Sequence, residues 1–326
     1  MAHPLLRLLK QRQPQRAIDV VAPGWSQPLL QRMPEVRQTW CLEVGHGQLG
    51  LGRRWRLGRQ LRGRYTQAII LPGSFKSALL PLHAGIHRRT GFLGEWRWGL
   101  LNDIRPLDKN ALLRTVDRFL ALGLAPGEAL PTPMPMPTLA VERSQALVTL
   151  RQWRTVREDI GQEGGEPLLA LCPGAEYGPA KRWPAERFAE LAGATLARGW
   201  GVVVCGSAKE ASLGEQIATT AGAGCLNLAG RTSLDEAVQI LSLASCVISN
   251  DSGLMHVAAA LERPLIALFG SSDPHHTPPL GSRSRVISLG LPCAPCFQRI
   301  CPEQHLNCLR QITTARVLAE MEACAG

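Results

Sequence analysis

Cys246-Val247-Ile248-Ser249-Asn250-Asp251-Ser252-Gly253-Leu254-Met255-His256-Val257-Ala258-Ala259-Ala260 changes character twice within 15 residues. A short apolar run suited to a buried strand leads into a polar turn, and the turn into a helix over 254–261. Pro264–Phe269 reads as the next strand, closed by Gly270. Upstream, the unbroken apolar run Pro167-Leu168-Leu169-Ala170-Leu171-Cys172 predicts a strand and Pro184–Arg198 a helix with proline in its first turn. Trp200–Cys205 reads as a strand ending at Gly206, and Ala208–Thr220 as a helix. Buried strands alternating with helices make a β-α-β-α-β-α-β order, which is a Rossmann-like domain with a parallel sheet.

The first half follows the same rule less regularly. Residues 4–12 have a helical pattern, while Ala17–Val21 and Gln67–Leu71 read as strands ended by Pro23-Gly24 and Pro72-Gly73. Pro126, Pro131, Pro133, Pro135 and Pro137 rule out a helix or central strand over 126–138. They mark the interdomain connection, and Val141–Gly161 reads as a helical lead into the second domain. The expected division is 1–140 and 141–326, each an α/β unit, with the last helix returning to the first domain. A chain of 326 residues suits two cores better than one.

Net charge is +10, unevenly placed. Residues 1–150 hold 21 Lys and Arg against 9 Asp and Glu, and residues 151–326 hold 15 against 17. The first half therefore favours an anionic partner, and six arginines between Arg53 and Arg64 form its densest patch. Charge alone admits nucleic acid, anionic lipid or a phosphorylated sugar. No aromatic-interleaved motif, zinc finger or helix-turn-helix signal supports nucleic acid. The opening residues alternate apolar and basic without the continuous apolar core of a signal peptide, and no apolar run reaches the roughly 18 residues of a spanning helix. The expected compartment is the cytoplasm.

In an open parallel sheet, ligands bind beyond the carboxyl ends of the strands. The loops expected there are 173–181, 206–210, 250–253 and 270–273. Ser252 and Gly253 open a helix whose free amides suit a diphosphate. Asp251 at that turn is either a helix cap or a group bonding sugar hydroxyls. Lys181, between a Gly/Pro loop and the next helix, is either a solvated lysine or a fixed cation for a leaving phosphate.

Two of these stretches carry a resemblance. Cys172-Pro173-Gly174-Ala175-Glu176-Tyr177-Gly178-Pro179-Ala180-Lys181-Arg182-Trp183-Pro184 and Ser249–Ala260 closely resemble signature motifs of the ADP-heptose:lipopolysaccharide heptosyltransferases, above all the heptosyltransferase II branch. Leu71–Ala78 and Gly99–Asp103 are similar to the family as well. The resemblance implies the GT-B fold, with an acceptor-binding amino domain and a nucleotide-sugar-binding carboxyl domain. It implies inverting transfer of heptose from ADP-heptose to the inner core of lipopolysaccharide, at the cytoplasmic face of the inner membrane, which the chain meets through its lipid-borne acceptor. Lys181 and Asp251 are the implied catalytic residues. Ala175, Glu176, Glu210, Thr232, Ser252, Gly253 and His256 fall on the donor side, Glu210 against the ribose and Thr232 near the adenine. Lys76 and Arg97 are the candidates for acceptor contact. No cofactor follows from the resemblance, and assistance by a divalent cation is left open.

One family feature is absent from the sequence. The family opens with a strand and a Gly-Asp loop that carries the catalytic base, and no Gly-Asp pair precedes Ile18. The first domain is thus expected to lack its central strand, leaving 18–21 and 69–71 with unpaired edges. The expectation is that the natural protein is longer, and that the chain as it stands is weakly active and poorly stable. Cys293, Cys296, Cys301 and Cys308 have a spacing that permits zinc but reads first as structural thiols. Two other functions stand beside the resemblance: a sugar-nucleotide epimerase of similar fold, and a basic nucleic-acid-binding protein.

Overall fold

The computed structural model of the chain describes residues 1–45, 47–153 and 165–325. These residues divide into two units, Met1–Met136 and Pro137–Gly326.

The first unit runs α1 (His3–Arg12), β1 (Asp19–Ala22), α2 (Gln27–Gln31), β2 (Gln38–Cys41), α3 (Leu51–Leu61), β3 (Gln67–Ile70), α4 (Phe75–His83), β4 (Arg88–Phe92), β5 (Asp103–Arg105) and α5 (Thr115–Leu122). All of its strand pairs are parallel, but they form two separate ladders, β1-β2 and β3-β4-β5. In the order expected of this architecture, β1 and β3 would flank a central strand. Among the described residues no ladder joins them, so the sheet is interrupted between them. Apolar packing bridges it instead: Leu5, Leu6 and Leu9 of α1 share a core cluster with Ile18, Val20, Ile69 and Leu71.

The second unit runs α6 (Arg143–Arg151), β6 (Leu168–Cys172), α7 (Ala185–Leu196), β7 (Gly201–Val204), α8 (Ala211–Ala221), β8 (Cys225–Asn227), α9 (Leu234–Leu243), β9 (Cys246–Asn250), α10 (Gly253–Ala260), β10 (Leu265–Leu268), β11 (Ser284–Ile287), α11 (Asn307–Arg310) and α12 (Thr314–Ala325). The six strands form one parallel sheet in the order β11-β10-β9-β6-β7-β8. Every residue of β6, β7, β9 and β10 is buried, which is why these strands read as unbroken apolar runs. Each fully buried leucine there contributes about 1.5–3 kcal/mol of transfer free energy. Helix α9 starts with a reciprocal cap in which Glu236 N–H donates to Ser233 Oγ (3.2 Å) and Ser233 N–H donates to Glu236 Oε2 (2.7 Å).

The last helix, α12, packs on α7, β9 and β10 of the second unit. Two expectations change. Strands β2, β4, β5, β8 and β11 were not expected, because short, partly exposed strands carry little apolar signal: β5 is Asp-Ile-Arg and β11 Ser-Arg-Val-Ile. The helix expected over 141–161 is present as Arg143–Arg151, and its remaining stretch lies largely outside the described residues. No helix among the described residues is long and apolar enough to cross a membrane.

Candidate active site

The strand order of the second unit reverses at β6, which has β7 on one side and β9 on the other. Parallel α/β sheets open a crevice at such a reversal, beyond the carboxyl ends of the two strands. Here those ends are in register, with Cys172 beside Ser249. The loops that follow, 173–181 and 251–252, therefore rise side by side although they are about 70 residues apart. Asn250 stitches them together. Its Nδ2 donates to the Pro173 carbonyl (2.7 Å) and its Oδ1 accepts from the Trp183 N–H (3.0 Å).

Lys181 and Asp251 meet at the centre of the crevice. Lys181 Nζ donates to Asp251 Oδ2 at 2.5 Å, and Ser272 Oγ donates to the same oxygen at 2.6 Å. The Asp251 side chain is only 8% exposed and the lysine 19%. The ammonium also lies 5.2 Å from the Tyr177 ring centroid. A cation held by a ring and by a carboxylate that a hydroxyl fixes in turn keeps a defined position, as a charge acting on a leaving group requires.

Helix α10 begins two residues beyond Asp251. Ser252 is extended at the cap position, but its hydroxyl makes no cap bond and instead lies 3.2 Å from Ser249 Oγ. The first-turn amides are thus left for a ligand, and the positive end of the helix favours an anion. Gly253 leaves open space where a side chain would stand. His256, one turn on and half-buried, has its imidazole pushed down to about 4, chiefly by burial. It is neutral at pH 7 and acts as a hydrogen-bonding group there, not as a cation.

The other candidates on the donor side gather along the same edge. Ala175 is buried, and its carbonyl accepts from Arg182 Nη2 at 3.3 Å. Glu176 is exposed and pairs with Lys209 at 2.6 Å, joining the loops after β6 and β7 at little net energy. The Gly230 N–H donates to the Gly206 carbonyl (3.0 Å), which brings the loop of Thr232 against the loop of Glu210. Glu210 Oε2 accepts from the Ser207 N–H (2.6 Å) and Ser207 Oγ (2.7 Å), so half of this carboxylate serves a local cap. Its Oε1 lies close against Gly174, where an added Cβ would come within 2.4 Å.

The two acceptor candidates part company. Lys76 keeps its ammonium near the surface, donating to the Gln48 carbonyl at 3.2 Å. Arg97 is 0% exposed. Its guanidinium donates to the carbonyls of Leu93 (2.9 Å), Pro72 (2.7 Å) and Phe92, and to Ser77 Oγ. An arginine so enclosed holds three loop carbonyls together and has no surface to offer a ligand. That corrects its expected role.

Sequence reasoning missed two supports. Ser272 was visible only as part of a polar loop, since nothing in Gly-Ser-Ser-Asp says which hydroxyl reaches Asp251. The segment 297–299 was missed entirely. Its Arg299 carbonyl accepts from the Ala180 N–H (3.1 Å), Phe297 O accepts from Tyr177 Oη (2.7 Å), and Arg299 stacks on the Tyr177 ring. It buttresses the loop that carries Lys181. The four cysteines Cys293, Cys296, Cys301 and Cys308 flank this segment. Burial, followed by the neighbouring thiols of Cys293, Cys301 and Cys296, pushes the Cys308 thiol up. Among the described residues no three His, Cys, Asp or Glu side chains are grouped to hold a metal ion.

Known proteins are similar to this chain in architecture and in sequence. The model of glycosyltransferase family 9 (heptosyltransferase) matches residues 54–307. Lipopolysaccharide heptosyltransferase 2 of Escherichia coli K12 is 45% identical over 99% of this chain and 94% of its own length. Lipooligosaccharide heptosyltransferase 2 of Haemophilus influenzae is 44% identical over 89% of this chain and 84% of its own. The solved structure of E. coli ADP-heptose lps heptosyltransferase II superposes with a TM-score of 0.85 at 43% identity, covering 99% of this chain and 94% of that one.

Proposed function

Because this chain belongs to glycosyltransferase family 9, the heptosyltransferases, we propose that it moves L-glycero-D-manno-heptose from ADP-heptose onto the inner-core heptose of lipopolysaccharide, with inversion at the anomeric carbon. Family membership sets aside the epimerase and nucleic-acid readings. The observation that carries the proposal is the Lys181–Asp251 pair beside the uncapped start of α10, at the reversal of the sheet.

The acceptor hydroxyl oxygen bonds to the anomeric carbon while the bond from that carbon to the β-phosphate oxygen breaks. ADP leaves with the electron pair, and the hydroxyl proton passes to a general base. The chain's own residues act mainly on the leaving group. The amides of the first turn of α10 take phosphate oxygens, and Lys181 faces the charge that grows as ADP departs. Asp251 holds the ammonium in place before the donor arrives and turns to heptose hydroxyls once the phosphates claim the lysine. Glu210 and Thr232 lie where the ribose and adenine follow. Lys76, on the basic first unit, meets the anionic acceptor. The reaction takes place in the cytoplasm at the face of the inner membrane, where the lipid-borne acceptor presents its core.

ADP release from ADP-heptose, measured with and without a heptose-bearing core acceptor, tests the reading. Release that depends on the acceptor is expected. Conversion of the donor without any acceptor would overturn it, because an epimerase needs none.

A further inference from the structure

Between Glu43 and Glu95 the chain has nine Lys and Arg residues and no Asp or Glu. Such a stretch would scatter over a surface if its cations were paired elsewhere, and here several are not. Helix α3 buries Arg54, Leu57, Gly58 and Leu61 and turns its opposite face outward. Among the described residues Arg56 of that outer face and Arg62, just past the end of the helix, meet no carboxylate, and Arg59 lies over the Trp55 ring, 4.9 Å from its centroid.

The same corner exposes large apolar side chains. Trp96 is 85% exposed, Leu51 53%, Trp55 50%, Leu49 45% and Phe75 41%. They are not isolated. Lys76 Nζ bonds to the Gln48 carbonyl (3.2 Å), which ties Phe75-Lys76 to the loop before α3. Phe75 N–H bonds to Glu95 Oε2 (3.0 Å), which ties Phe75 to the loop of Trp96. The result is an apolar rim at the carboxyl edge of the first unit's strands, flanked by arginines, with Glu95 bonded to its backbone. An apolar rim of this size in water costs free energy unless something covers it. Tryptophan and leucine beside arginine match the boundary of an anionic bilayer, where the rings enter the headgroup layer and the guanidinium groups meet phosphates. A nucleic acid would use the arginines but has no place for Leu49 and Leu51.

We propose that the rim of Leu49, Leu51, Trp55, Phe75 and Trp96, with Arg56, Arg59 and Arg62, docks the protein directly on an anionic lipid bilayer. This deepens the membrane reading above, because the contact is made with the bilayer itself and needs no acceptor.

Flotation with vesicles that contain no glycolipid separates the two readings. The wild-type chain is expected to float with vesicles of phosphatidylcholine and phosphatidylglycerol and to stay behind with pure phosphatidylcholine, with binding weakened by salt. Each cation near the surface is worth about fivefold in binding. The triple variant Arg56→Gln, Arg59→Gln, Arg62→Gln should therefore bind about a hundredfold more weakly, while transfer to a delipidated core acceptor is unchanged. Trp55→Ala, a single exposed truncation, should weaken flotation and reduce the blue shift of tryptophan emission on binding. Equal binding by the wild type and the triple variant overturns the proposal, as does equal flotation with neutral vesicles. Retention on duplex DNA with no vesicle binding also overturns it, in favour of a nucleic-acid face. If the wild type floats but never releases ADP, the docking surface stands and the transferase reading fails.

Discussion

Replacing Lys181 by alanine should separate two effects that the geometry combines. The first is stability. Asp251 Oδ2 accepts from Lys181 (2.5 Å) and Ser272 (2.6 Å), and its side chain is only 8% exposed. Without the lysine, a nearly buried carboxylate keeps one neutral donor. Breaking a fully buried pair costs about 3–5 kcal/mol; the partial exposure of the lysine lowers the expected loss to about 1–3 kcal/mol. The second effect is chemical. Losing one fixed charge at a developing anion costs about 10²–10³-fold in kcat. The double variant Lys181→Ala, Asp251→Asn removes the stranded charge. It should regain most of the stability measured by urea unfolding and none of the turnover measured by ADP release. If Lys181→Ala turns over like the wild type, or if Asp251→Asn rescues its kcat, the lysine does not serve the leaving group and the reasoning is refuted.

Other consequences are as direct. Arg97→Met leaves the carbonyls of Pro72, Leu93 and Phe92 without their buried donor, and should cost about 3 kcal/mol or more in thermal unfolding; a change within 0.5 kcal/mol would count against its structural role. His256 has a folded pKa of about 4 against 6.5 unfolded, so the unfolded chain binds the extra proton first as pH falls. Stability contributed by the neutral ring is therefore complete above pH 6.5 and lost towards pH 4, and His256→Gln should flatten the stability–pH slope in that window. Gly178→Ala would set a Cβ about 2.5 Å from the Arg299 carbonyl. It should push apart the two segments that hold Lys181 and lower kcat with little loss of global stability. Amide exchange should be faster in β1 and β3, which have unpaired edges among the described residues, than in the central strands β6 and β9.

The parts of this molecule that the sequence discloses are those where one physical signal dominates. Strands β6, β7, β9 and β10 are buried on both faces, so each is a bare apolar run between turns. The short, partly exposed strands β2 and β4 escape notice because such pairing tolerates Gln-Thr-Trp-Cys or Arg-Arg-Thr-Gly-Phe equally well. Lys181 and Asp251 were identifiable singly, from their loops and from the family resemblance. Their contact follows only from the strand order that makes β6 and β9 neighbours, which no local pattern contains. Arg97 stands between the exposed Trp96 and Trp98, yet is itself buried. Its burial depends on three carbonyls gathered from 72, 92 and 93, and the sequence does not announce such a convergence.

A crystal structure of the chain with ADP puts the central claim to its most direct test. The diphosphate oxygens are expected about 3 Å from the amides of the first turn of α10, with Lys181 Nζ drawn from Asp251 onto a phosphate. ADP bound away from the carboxyl ends of β6 and β9, or bound there with the Lys181–Asp251 pair still closed, would contradict it.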